Sequence, residues 1–284
     1  MRSKRWGRMG LIGGLFALAL LTVPVATLQA AEEAKPTGNV TVSALNQYVW
    51  RGYEMSRNSI VVQPSVTVGY KGFAANFWGN LDTKPYSAGN AEYPGAWNET
   101  DFTLSYTKTL GLFNVGGGYI YYSLASLNRD AADRNDSQEL FASVSLNTLL
   151  TPTLTLYKEI DHYRNWYFTL GISHGFELSK MISLNLAATA GYLLSTDASS
   201  YPKYNGDAVA TTDKFSNFHD ATLAASLPIK ITDAITVTPM VSYIFPLSGD
   251  ARNEMKGLGM KGTATAAERD SSFLVGGLSI AYSF

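Results

Sequence analysis

Along most of this chain, apolar or aromatic side chains alternate residue by residue with small or polar ones, and this alternation recurs in twelve stretches. An extended backbone points successive side chains to opposite faces, so each stretch presents one face almost free of charge. Val62, Pro64, Val66, Val68 and Tyr70 stand opposite Gln63, Ser65, Thr67 and Gly69. Phe73, Ala75, Phe77, Gly79 and Leu81 stand opposite Asn76, Trp78, Asn80 and Asp82, and Trp166, Phe168, Leu170 and Ile172 opposite Tyr167, Thr169, Gly171 and Ser173. The pattern predicts strands near 39–50, 60–70, 73–82, 99–108, 113–123, 138–147, 153–161, 166–177, 182–194, 218–229, 234–246 and 272–284. Asn46 is a polar exception on the apolar side of the first.

The links between stretches alternate in length. Tight ones fall at 71–72, 109–112, 148–152, 178–181 and 230–234; longer ones fall at 51–59, 83–98, 125–137, 195–217 and 247–271, with a short exception at 162–165. A soluble sandwich has no cause to keep this parity. An even number of tilted strands with short periplasmic turns and long extracellular loops is the pattern of an outer-membrane barrel. The expected fold is therefore all-β, a twelve-stranded antiparallel transmembrane β-barrel.

The front of the chain fits export. Arg2, Lys4, Arg5 and Arg8 precede an apolar run from Leu11 to about Leu21 and a small-residue site ending at Ala30. This reads as a signal peptide over 1–30, leaving one barrel domain over 31–284. The leader holds four basic residues and no acidic one, so removing it takes the formal charge from −1 to −5, which argues against nucleic acid as a partner. After the leader no apolar run reaches the roughly 20 residues of a spanning helix, so a membrane would be crossed by strands. There is no cysteine.

The last stretch, Phe273 to Phe284, places Leu274, Leu278, Ile280, Tyr282 and Phe284 on one face. It resembles the closing strand of bacterial outer-membrane barrels. That resemblance implies that Ile280, Tyr282 and Phe284 serve as an assembly signal for the barrel-assembly machinery. Tyr48, Trp50, Tyr70, Phe73, Phe113, Trp166, Phe176, Tyr192, Tyr243 and Phe245 are expected with them near strand ends on the lipid face. Lys158 on that face should snorkel or mark a reversed register, and Pro64 and Pro239 should sit beside irregular pairing. The runs Tyr48-Val49-Trp50-Arg51-Gly52, Val62-Gln63-Pro64-Ser65 and Thr155 to Asp161 resemble the Gcw_chp family of uncharacterised proteobacterial outer-membrane proteins. The resemblance implies location and fold, and no substrate.

With apolar faces outward, the opposite faces line a lumen. Inward carboxylates at Asp82, Asp101, Glu139, Glu159, Asp161 and Asp220, and inward rings at Trp78, Tyr157 and Tyr167, are the candidate lining and solute-binding residues. Acidic groups in a narrow passage favour cations, so the leading function is porin-like passive diffusion of small solutes with cation preference. Each carboxylate also has a plain reading, as a solvated group or a partner of a loop arginine such as Arg51, Arg129, Arg134 or Arg164. A closed barrel acting through its loops is the alternative. A hydrolase ranks below both: none of His162, His174 and His219 has the Ser two residues later that outer-membrane phospholipases carry, and His174 and His219 are expected at interfacial strand ends. No metal-ligand spacing or cofactor motif is present. The expected partners are outer-membrane lipid and the assembly machinery.

Overall fold

The computed structural model describes residues 35–57, 59–85, 95–124, 136–258, 265 and 268–284. The leader with its cleavage site, Arg129 and Arg134 lie outside these residues. Twelve long strands form the body: β1 (Thr37–Leu45), β2 (Val61–Tyr70), β3 (Phe73–Asp82), β4 (Ala96–Leu110), β5 (Phe113–Leu124), β6 (Ser137–Leu146), β7 (Thr153–Glu159), β8 (Asn165–Glu177), β9 (Ser183–Ser195), β10 (Ser216–Ser226), β11 (Ile235–Pro246) and β12 (Phe273–Ser283). Each pairs antiparallel with its chain neighbours, and β12 returns to β1 with Asn39 opposite Ser283 and Leu45 opposite Gly277. The sheet is thus a closed barrel without a free edge. The backbone of Phe284 completes the seam, exchanging hydrogen bonds with Gly38 at 2.7 and 2.9 Å.

Every barrel strand carries an exposed apolar side chain on its outer face: Val42, Val66, Phe77, Leu104, Val115, Leu140, Leu154, Leu170, Leu186, Leu223, Val241 and Leu278 in chain order. A continuous apolar belt of this kind is stable in lipid and unstable in water. Tyr70, Phe73, Phe113, Phe176, Tyr243, Tyr282 and Phe284 are exposed on the same surface. The two ends of the barrel differ. At the lower end, β2–β3 and β4–β5 are joined across 71–72 and 111–112; at the upper end, 46–60, 196–215 and 247–272 join β1–β2, β9–β10 and β11–β12.

Three local expectations are resolved. Lys158 does lie on the outer face, one residue before the end of β7, and its ammonium sits 4.9 Å from the centre of the Trp166 ring. Placing the charge at the rim avoids the midplane cost, and the register is not reversed there. At Pro64 the β2–β3 ladder skips two pairs between Val62–Leu81 and Ser65–Trp78 without changing register. Pro239 sits just past the last β10–β11 pair, Ser226–Met240; its O accepts from Leu227 N at 3.0 Å, and its ring leaves no N–H for the return bond.

The first strand is shorter than its alternation suggests. It stops at Leu45, and Asn46, the polar exception, ties the departing chain to β12 by bonds to Leu274 O (3.0 Å) and from Gly276 N (2.9 Å). From there the chain turns into the barrel.

Candidate functional site

Residues 46–57 form a small hairpin, with Val49–Trp50 paired to Tyr53–Glu54, that occupies the upper lumen. Tyr48 O accepts from Met55 N (2.9 Å) and Ser56 N (3.1 Å), which closes the loop on itself. Its tip is Arg51-Gly52, both left-handed, at φ +47° and +79°. Gly52 is required twice over: its φ suits no side chain, and a Cβ would run into Met255 of the helix described below. Around the hairpin the barrel wall supplies apolar contacts on every side. Leu45, Val61 and Trp78 pack on Tyr48; Ile244 and Phe273 pack on Val49; and Tyr122, Tyr157, Tyr167 and Leu193 share a cluster with Tyr53.

Tyr48 and Trp50 are therefore not lipid-belt aromatics. Tyr48 is 4% exposed and Trp50 packs on Tyr53 and Tyr122, because the strand they were assigned to ends before them. Alternation continued past Leu45 in the sequence, and only the turn at Asn46 sends these rings inward.

Arg51 is the centre of the packed layer. Its two terminal nitrogens donate to the two oxygens of Glu139, both at 2.7 Å, in a planar fork. The guanidinium carbon lies 4.5 Å from the centre of Trp50, 4.7 Å from Tyr157 and 4.3 Å from Tyr167. Each ring offers its negative face to the cation. Glu139 also accepts from Tyr122 Oη at 2.8 Å, which sets its plane before Arg51 is counted. Both charges are buried, so the pair is costly to form and far more costly to leave half-made.

Beside this cage lies a second buried group. Helix α1 (Gly249–Leu258), in the link after β11, places Ala251, Glu254 and Met255 inward. Glu254 Oε2 approaches His219 Nε2 at 3.2 Å, and His219 Nδ1 approaches Asp220 Oδ1 at 2.9 Å. Burial pushes the Glu254 carboxyl above the ordinary range, with His219 opposing. His219 was expected at an interfacial strand end. It is buried because the β9–β10 register shifts between Ala190 and Tyr192, so that both His219 and Asp220 are turned inward. Gly191 lies at that shift, and a Cβ there would stand 2.5 Å from Tyr167 Oη and 2.8 Å from Asp220 Oδ1. Its absence leaves room for the Tyr167 Oη to Asp220 Oδ1 bond of 2.8 Å.

Of the remaining candidates, Asp82 accepts from Ser59 Oγ and Lys84 N, and so holds the ends of two loops. Glu159 accepts from Ser137 Oγ and from four backbone N–H groups, Asp161 and His162 on one oxygen (3.1 and 3.0 Å), Tyr163 and Arg164 on the other (2.9 and 2.6 Å). It anchors the tight upper link from β7 to β8 and offers little to a solute. Asp161 is not in the lumen: it lies past the end of β7 and accepts from Gln138 Nε2, a residue alternate to the inward Glu139. The expected strand ran to 161, and its early end at Glu159 moves Asp161 to the rim. Asp101 faces inward between Trp78 and Tyr122 as cross-strand partners, and Glu99, which the sequence reading did not single out, lies one inward step above it. Tyr48 Oη donates to Glu99 at 3.3 Å.

No family model matches the chain, and no characterised protein matches it by sequence. Solved structures do align with it. The NanC porin is 11% identical with a TM-score of 0.49, over 86% of this chain and 98% of that one. The KdgM porin is 12% identical with a TM-score of 0.48, over 87% and 99%. The COG4313 outer membrane channel from Pseudomonas putida F1 is 11% identical with a TM-score of 0.44, over 90% and 97%. At such identities the likeness says nothing of solute or activity.

The structure thus brings Glu139, Tyr157, Tyr167 and Asp220 into one layer, while Asp82 and Glu159, at the ends of β3 and β7, bond to the adjoining loops. Sequence reasoning missed Glu99 and Glu254 with His219, and it placed Arg51 in a loop, though the plain reading of an inward carboxylate as the partner of such an arginine is what Glu139 shows. For Arg51 a signal existed: a single basic residue followed by Gly, flanked by aromatics, where a solvated loop would carry neither ring. Among the described residues no Ser or Thr hydroxyl bonds to an imidazole: the partners of the three histidine rings are Asp136 O with Asp161, Leu149 O, and Asp220 with Glu254. No group of three metal-ligating side chains occurs among the described residues.

Proposed function

We propose that the protein is a porin-like outer-membrane channel for passive diffusion of small solutes, preferring cations, with its upper passage constricted by the first loop. The observation that supports this most is the change in lining along the barrel. Below the packed layer most inward positions are small and hydroxylic or amidic, among them Thr41, Ser65, Thr67 and Asn76 on β1 to β3, Ser173 on β8 and Ser283 on β12, with Glu177 at the lower end of β8 a charged exception. Asn76 Nδ2 donates to Ser65 Oγ and Thr67 Oγ1, both at 2.8 Å, and these groups remain partly open to solvent. A barrel built only to be a stable body would fill this space with larger side chains.

Cation preference is supported by the charges of the upper lumen. Glu54, Asp82, Glu99, Asp101, Glu139, Glu159, Asp220 and Glu254 are inward or buried there, against Arg51 and His219. Reversal potential in a planar bilayer under a salt gradient tests the reading. We expect a small steady conductance with a cation-selective potential, reduced in selectivity by Glu99→Gln with Asp101→Asn. A folded barrel that passes no current, with or without the first loop intact, would reject the channel and leave the alternative of a closed barrel acting through its loops, which the dense upper packing favours.

The same reading carries the export and assembly proposals: removal of the leader after Ala30, residence in outer-membrane lipid, kinship with the Gcw_chp family, and recognition of Ile280, Tyr282 and Phe284 by the assembly machinery. Phe284→Ser should lower the amount of heat-modifiable barrel recovered from membranes, and unchanged recovery would remove the terminal ring from that role.

A further inference from the structure

The geometry points to a receptor for guanidinium groups in the upper barrel wall, occupied in this structure by the side chain of Arg51 and open to a guanidinium-bearing solute when the hairpin withdraws. The proposal rests on the channel reading and names a solute class for it. Four groups make the receptor: Glu139 on β6, which supplies both oxygens, and Tyr122, Tyr157 and Tyr167 on β5, β7 and β8. All four belong to barrel strands; of the groups around the guanidinium, only Trp50 belongs to the hairpin.

The receptor is also held in shape without Arg51. Tyr122 Oη fixes Glu139 at 2.8 Å, Tyr167 Oη is fixed by Asp220 at 2.8 Å, and Tyr157 and Tyr167 lie against each other with ring centres 6.1 Å apart. Withdrawing the hairpin would therefore leave a buried carboxylate between aromatic faces, with its fork of acceptors unfilled. The chemistry selects a planar cation with two parallel N–H donors over a compact ammonium, which fills one oxygen and stacks poorly. Arg51 reaches the receptor from the tip of a short hairpin, where its backbone is left-handed at φ +47°.

The test uses the full mature barrel in detergent and in a planar bilayer, with methylguanidinium as probe and methylammonium as control. Arg51→Gly removes the side chain while suiting the left-handed backbone. It should bind methylguanidinium saturably, at least about 10-fold more tightly than Arg51→Gly/Glu139→Gln and than methylammonium, and its current should be blocked over the same concentration range. Binding no tighter than in the double variant, or no preference for methylguanidinium, overturns the proposal even if the barrel conducts. Saturable, Glu139-dependent binding in a barrel that never conducts supports the receptor and rejects the channel reading instead. Should Arg51→Gly fail to assemble, Arg51→Lys leaves one Glu139 oxygen open. Methylguanidinium should then change its conductance or melting at concentrations about 10-fold below those needed for the wild type, and equal concentrations would overturn the proposal.

Discussion

The upper and lower halves of the lumen are built from the same twelve strands and differ in chemistry. The upper half is aromatic and charged, each carboxylate is placed against a named partner or a ring, and it is filled by a hairpin and a helix that come from loops. The lower half is almost neutral, with Glu177 at its rim and with hydroxyls and amides bonded mainly to one another across neighbouring strands, as Asn114 is to Thr109 and Asn147 at 2.8 and 2.7 Å. Buried charge fixes position because any other arrangement leaves an ion unpaired, whereas hydroxyls that water can replace fix little. Position in this protein is therefore set mainly at one end of the barrel.

That contrast can be broken by experiment. The largest effect is expected from Glu139→Ala, which strands the Arg51 cation: about 3 to 5 kcal/mol of destabilisation of the packed layer. It should show as a lower melting temperature and as increased conductance, and an unchanged protein would mean that the hairpin is held by its apolar contacts alone. Gly191→Val should come next, at about 1 to 3 kcal/mol, because its side chain must displace the Tyr167–Asp220 bond. Glu159→Gln should cost a similar or smaller amount, about 1 to 3 kcal/mol, since an amide offers one acceptor oxygen where four N–H groups need two. Its signature should be local, with faster amide exchange at residues 161–164.

In the lower half the expectation is small. Ser65→Ala or Thr67→Val should change stability by no more than about 0.5 kcal/mol and alter conductance only through pore width. A loss as large as that of Glu139→Ala would mean the lower lumen is as tightly specified as the upper. The smallest effect concerns Asp250 in the first turn of α1, where the bond from Asn217 and then Lys203 hold its carboxyl below the ordinary aspartate range, against some desolvation. A depressed carboxylate pKa contributes stability above the unfolded value near 3.9 and loses it as pH falls through the folded value. The Asp250 contribution to exchange in α1 should therefore change only below about pH 4.

How much of this was legible beforehand differs by level. Period-two alternation gave the outer face of every strand, since lipid imposes one simple demand on each outward position. The parity of the links followed from the same demand, because the chain must return across the membrane. The inward positions of Glu139, Tyr157, Tyr167 and Asp220 followed by alternation too. What alternation could not give was where it stops: Tyr48 and Trp50 continue the pattern, and Asp161 extends another, yet each lies beyond a strand end. His219 escaped because a one-step register shift is a property of two strands together and leaves no mark in either alone.

The sequence by itself therefore determined a closed, lipid-facing barrel of twelve strands with an inside different from its outside, because burial in hydrocarbon acts on each residue separately. Only the tertiary structure decided how the inside is filled and which of its groups are paired. The Arg51 fork on Glu139, the Glu254–His219 contact and the gap at Gly191 each join segments far apart in the chain, and a pair of buried charges exists only where the fold brings both members to one point.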